Sequence, residues 1–128
     1  MTKHGEFNWI ELQTQDPEAA IEFYKRSAGW GFKAEAMPNG GTYCLAMLGE
    51  KVVCGVWTLE KDRSSALGNR WVVYLHVENL DNALIQARSC GAEIIRDPWD
   101  VPGVGRIAMI RDPGGAEIGW VTPSAKLA

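Results

Sequence analysis

The 128 residues carry 13 basic and 16 acidic side chains, for a net charge of −3, with 46% hydrophobic and 23% charged residues. That is the balance of an ordinary globular domain long enough to bury one core. The absence of a Lys/Arg cluster argues against nucleic acid and anionic membranes as partners, and no apolar run nears the roughly 18 residues a bilayer span needs.

The opening MTKHGEFNW is polar, without the apolar core of a signal peptide, and His4 is expected in a mobile tail. A strand follows, in which Ile10 and Leu12 alternate with Trp9, Glu11 and Gln13. Asp16 is a good N-cap for a helix with Pro17 at its first position, and Gly29 ends it. Ala20, Phe23, Tyr24 and Ser27 form its packing stripe. Asn39-Gly40-Gly41 marks a loop, after which Tyr43–Leu48 and Val52–Leu59 read as strands joined through Gly49-Glu50-Lys51. Glu60–Asn69 is polar and is the one plausible linker.

Beyond it the pattern starts again. Trp71, Val73, Leu75 and Val77 alternate with Val72, Tyr74 and His76. Asn79 caps a second helix whose stripe is Leu80, Ala83, Leu84 and Ala87, and Gly91 stops it. Strands are expected at Ile94–Ile95, Gly105–Arg111 and Ala116–Thr122, with Asp112-Pro113-Gly114-Gly115 as a hairpin turn. The loop ending Gly103–Gly105 lacks the Lys-Ser/Thr of a P-loop. An offset of 63 lays Trp9–Gln13 on Val72–His76, and one inserted residue then lays Val53–Val56 on Glu117–Trp120. A period this long in two copies indicates duplication. The predicted fold is therefore α+β: two βαβββ modules, about 6–60 and 70–123, in a single domain spanning 1–128. They form a curved mixed sheet around a cavity with helices on the convex face.

Alternation assigns the cavity face to Trp9, Glu11, Gln13, Val53, Gly55, Trp57, Val72, Tyr74, His76, Glu117, Gly119 and Val121. Trp9, Trp57 and Tyr74 offer flat surfaces for a planar or cationic group, or simply fill the interior. Glu11 and Glu117 among aromatic rings need water or a cation, and Arg106 is a candidate internal partner. His76 reads more readily as a hydrogen-bonding side chain than as a catalytic one. Gly55 and Gly119, at equivalent places, either open the cavity floor or mark bulges. The three cysteines (Cys44, Cys54, Cys90) lack CxxC spacing and fit reduced, small apolar residues in a cytoplasmic protein.

The run Asp16–Tyr24 closing in Ala28-Gly29-Trp30, with Gly105–Met109 followed by Asp112-Pro113-Gly114-Gly115-Ala116, resembles the glyoxalase/bleomycin-resistance/dioxygenase (vicinal oxygen chelate) superfamily from about Phe7 to Val121. Metal-dependent members resemble one another in holding a divalent ion with His or Glu from the first and last strands of each module. Here those positions are Trp9, Gly55, Val72 and Gly119, none of which can ligate, so the resemblance implies no inherited metal cofactor. Glu11, His76 and Glu117 are a weaker alternative metal set. Two functions are expected to compete. The first is a metal-independent small-molecule binder sequestering a planar or cationic ligand through Trp9, Glu11, Gln13, Trp57, Tyr74, His76 and Glu117. The second is a lyase, isomerase or oxygenase-type enzyme with a displaced metal or Glu11/His76 acid–base chemistry. A subunit with a vestigial cavity is a third possibility. The resemblance also implies a homodimer, for which Trp30 or Trp99 could form the contact, although either is equally a core residue.

Overall fold

The computed structural model describes residues 2–36, 42–59, 68–101 and 104–124. Its elements run β1 (Phe7–Thr14), α1 (Pro17–Ala28), β2 (Gly31–Ala36), β3 (Thr42–Leu48), β4 (Lys51–Thr58), β5 (Arg70–His76), α2 (Leu80–Ser89), β6 (Glu93–Val101), β7 (Gly105–Arg111) and β8 (Glu117–Pro123). This is an α+β chain that runs βαβββ twice. It divides into two compact units, Ile10–Val72 and Val73–Ala128, and Met1–Trp9 counts with the latter.

In the first unit the strand order is β2-β3-β4-β1, antiparallel except that β1 runs parallel to β4 with Glu11 opposite Gly55 and Gln13 opposite Trp57. In the second the order is β5-β8-β7-β6, with β5 parallel to β8 and Tyr74 opposite Gly119. Glu11 and Tyr74 are 63 apart and Gly55 and Gly119 are 64 apart, so the two registers reproduce the internal repeat together with its one-residue insertion.

Both helices start where the sequence caps them. Asp16 Oδ1 accepts from Ala19 N at 3.1 Å, and Gly29 closes α1 at φ +74. Asn79 Oδ1 accepts from Asn82 N at 3.2 Å, and Asn79 is the one non-glycine at positive φ (+47) among the described residues. The β7–β8 turn is tied by Asp112 Oδ1, which accepts from Gly114 N and Ala116 N.

The two cores differ in depth. In the second unit Val77, Leu80, Leu84, Ala108 and Ile110 form a buried cluster, with Leu75, Ile94, Ile118 and Trp120 packed against it. In the first unit Leu12, Ala46, Cys54 and Val56 are buried on one sheet face, yet α1 itself buries no residue. The expected α1 stripe is corrected accordingly: Ala20 and Tyr24 are half-buried, whereas Phe23 and Ser27 face solvent. The helix is held instead by aromatic contacts, Tyr24 stacking on Trp30 at 5.0 Å and meeting Trp71 edge-on at 5.8 Å.

Two strands depart from expectation. β2, required by the βαβββ pattern but given no bounds from sequence, is Gly31-Phe32-Lys33-Ala34-Glu35-Ala36, which has weak β propensity and forms because it borders β3 as an edge strand. β6 runs to Val101 rather than stopping at Ile95. It is also an edge strand, with irregular register on either side of Arg96, where Pro98 can be accommodated. The loop at Asn39–Gly41, residues 60–67 of the expected linker, and Pro102-Gly103 lie outside the described residues.

Candidate functional site

In the first unit, alternation separates Leu12 and Thr14 from Glu11 and Gln13, and the β1/β4/β3 registers place Gly55, Trp57, Leu45 and Tyr43 on the Glu11 side. Glu11 is only 8% exposed. Its Oε1 accepts from Tyr43 Oη at 2.8 Å and its Oε2 accepts from Gln13 Nε2 at 2.9 Å. Gln13 Oε1 in turn accepts from Arg70 Nε at 3.3 Å, and Gln15 N donates to Asn69 Oδ1, fixing the chain beside Arg70. The result is a continuous hydrogen-bond chain, Arg70–Gln13–Glu11–Tyr43, along one sheet face. Trp57 flanks it, its ring tilted 49° to that of Tyr43 at 5.9 Å.

Gly55 explains how Tyr43 gets there. A Cβ on residue 55 would fall on the Tyr43 hydroxyl, so the glycine leaves the space through which the phenol reaches Glu11. The second unit repeats this device with a different tyrosine. A Cβ on Gly119 would fall in the ring of Tyr74, which is buried at 6% exposure. Neither glycine opens a cavity floor; in each unit the space is filled from within.

The other proposed site residues lie in the second unit. Glu117 bonds Arg111 at 3.3 Å, and Arg111 also pairs with Glu93. Arg106, a candidate partner for Glu11 or Glu117, binds Asp81 and Asp100 instead; those hydrogen bonds raise its already high pKa. His76 is half-buried and hydrogen-bonded through Nδ1 to Thr2 Oγ1 at 2.8 Å. Its backbone is pinned by Gly5 N donating to its carbonyl and its own N–H donating to Glu6 O. His4 is likewise engaged, accepting from Glu78 N at 2.9 Å, which corrects the expectation of a mobile tail. Trp9 is half-buried. Trp30 and Trp99, either of which could serve a dimer contact or be core, are half-buried: Trp30 stacks on Tyr24, and the Arg96 guanidinium lies 3.5 Å from the ring centre of Trp99.

A family model described as the Glyoxalase/Bleomycin resistance protein/Dioxygenase superfamily matches residues 6–119. The chain belongs to this superfamily. Among its glyoxalase-superfamily relatives, "Putative glyoxylase CFP32" of Mycobacterium tuberculosis is 30% identical over 118 residues, which is 91% of this chain and 45% of that protein. The anthracycline biosynthesis protein DnrV of Streptomyces peucetius is 30% identical over 119 residues, 84% of this chain and 43% of that protein. The chain thus spans under half the length of these relatives. The solved methylmalonyl-CoA epimerase of Mycobacterium tuberculosis shares the fold at TM-score 0.64 and 20% identity, covering 99% of this chain and 95% of that one. A hypothetical protein of Bacillus halodurans does so at TM-score 0.68 and 14% identity, covering 95% and 96%.

The superfamily's divalent ion does not fit the residues present. Trp9, Gly55, Val72 and Gly119 offer no donor atom, and tyrosine rings occupy the space where side chains at the two glycines would begin. Nor is the alternative set of Glu11, His76 and Glu117 assembled: among the described residues, no three His, Cys, Asp or Glu side chains converge to hold an ion.

Sequence reasoning missed Tyr43 and Arg70. The signal for Tyr43 was Gly55 itself, a strand glycine in need of a filler. Arg70 directly follows the polar segment Glu60–Asn69 assigned to the linker, and nothing in its neighbours marks it.

Proposed function

We propose that this protein binds a planar small molecule without using a metal ion, on the first unit's sheet face bearing Trp57, Tyr43, Glu11, Gln13 and Arg70. The observation behind this is the Arg70–Gln13–Glu11–Tyr43 chain, a nearly buried carboxylate held by two neutral donors beside two tilted aromatic rings. Aromatic walls with a few placed polar groups are the usual make-up of small-molecule sites. Glu117 is bonded to Arg111, and Glu11 stands one amide away from Arg70. Arg111 counters the charge of Glu117, and the two tilted rings beside Glu11 favour a planar ligand. Relatives named for anthracycline biosynthesis are consistent with a planar ligand. Trp9, Tyr74, His76 and Glu117 stand as a separate ligand-facing proposal within the second unit, where Tyr74 is buried and Glu117 bonds Arg111.

The test is intrinsic fluorescence. A planar aromatic ligand should quench tryptophan emission of the native protein, and Trp57→Ala should abolish the ligand-induced change. Quenching that survives this substitution rules out this site.

The 2.8 Å contact between Tyr43 Oη and Glu11 favours one alternative, an acid–base enzyme. In it Glu11 is the proton acceptor and Tyr43, rather than His76, its neighbour; relatives named as a glyoxylase and an epimerase are in keeping with that class. Its mark is substrate turnover lost in Glu11→Gln with binding retained. A cytoplasmic setting, supported by cysteines that are all free, and a homodimer complete the proposal.

A further inference from the structure

We infer that a second copy of this chain docks on the outer edge of β2, by antiparallel strand pairing in which Lys33 of each copy lies opposite Glu35 of the other. The inference rests on the homodimer reading and gives that dimer its contact surface and its register.

β2 ends the strand order of the first unit, and among the described residues no strand borders its outer side. An edge strand turns alternate N–H and C=O groups outward, and proteins commonly blunt such an edge with proline or bulges. β6, the outer strand of the second unit, is blunted in both ways: it carries Pro98 and shifts register on either side of Arg96. β2 is not. Gly31–Ala36 pairs with β3 through six consecutive residues without a shift, contains no proline, and leaves Lys33, Ala34 and Ala36 exposed. Its charges then select the occupant. Lys33 Nζ and Glu35 Oε1 lie 3.5 Å apart on one face of the strand, with side chains 66% and 47% exposed. A two-fold axis through Ala34 sets two copies of β2 antiparallel. Ala34 then faces Ala34, Phe32 faces Ala36, and Lys33 faces Glu35 on both sides of the axis. Opposite charges across a ladder attract, and like charges repel. An axis at Lys33 would set lysine against lysine, and one at Glu35 would set glutamate against glutamate. The strand is complementary to itself in a single register.

The experiment is analytical ultracentrifugation of the full chain from micromolar to near-millimolar concentration, with Lys33→Glu, with Glu35→Lys, and with an equimolar mixture of the two variants. The native protein should show a monomer–dimer equilibrium. Either substitution alone turns both attractive pairs into like-charge pairs and should weaken dimerisation by about tenfold or more. Both side chains are exposed, so neither change touches the core. In the mixture the glutamates of one variant face the lysines of the other. The dissociation constant should return to within about threefold of the native value, which also shows that both variants fold. A native dimer that neither substitution weakens, or a mixture that stays monomeric, overturns the β2 contact and leaves the homodimer reading standing. A native protein that is monomeric throughout removes that reading and the inference with it.

Discussion

Tyr43 and Gly55 behave as a single structural residue, and their energies should not add. Gly55→Ala alone drives the phenol from Glu11 and leaves a nearly buried carboxylate short of one donor, a loss of about 1–3 kcal/mol. In a Tyr43→Ala background the same change meets no ring, and replacing a strand glycine then gains about 0.5–1 kcal/mol. Urea denaturation of both single variants and the double variant should return a coupling energy above 1 kcal/mol; additive effects would show that the ring and the glycine are independent. The sequence displayed half of this pair. Alternation correctly put Glu11, Gln13, Gly55 and Trp57 on one face, because strand periodicity follows directly from the backbone. It could not supply Tyr43, whose position depends on the β3/β4 register, and that register shifts at an irregularity between Ala46 and Met47. Nor could it supply the partners of the carboxylates. Choosing Arg111 over Arg106 for Glu117 follows from β7 lying beside β8 with Arg111 opposite Glu117.

At the level of elements, what could be read locally held and what depended on neighbours did not. Helix starts and stops at Asp16, Gly29 and Asn79 are written in capping chemistry, which needs only a few adjacent residues. β2 and the outer part of β6 owe their extended form to the strand beside them, so their own residues gave little sign of it. Asn79 offers a test of the local kind. It combines a capping side chain with φ +47, a conformation that Asn tolerates better than most residues and glycine tolerates freely. Asn79→Ala loses both advantages and should destabilise the protein by about 2 kcal/mol. Asn79→Gly loses only the side-chain cap and should cost a few tenths. Equal losses in thermal unfolding would mean that the backbone conformation at this helix start contributes nothing.

For the molecule as a whole, the duplicated plan was legible because two registers obey one offset, while the contents of its cores were not. The first unit buries Cys54 at 1% exposure, and this burial, with a smaller push from Cys44, raises its thiol pKa to about 11. The sign follows from linkage. An unfolded thiol ionises near 9.0 and the folded one near 11, so this contribution to stability is complete below pH 9 and lost as the pH climbs toward 11. The full loss is at most about 2–3 kcal/mol. Urea midpoints measured from pH 8 to 11 should fall more steeply in the native protein than in Cys54→Ala. At pH 8 a thiol reagent should label exposed Cys90 first and Cys54 only on unfolding. The tyrosine-filled notches bear on ancestry. Tyr43 comes from β3 of its unit and Tyr74 from β5 of the other, so the two rings are not counterparts under the repeat. Each half fills its notch with a ring from a different strand of the repeat. Each also carries plug and notch on the same stretch of chain, so a protein assembled from two copies of either half would inherit no hole to mend.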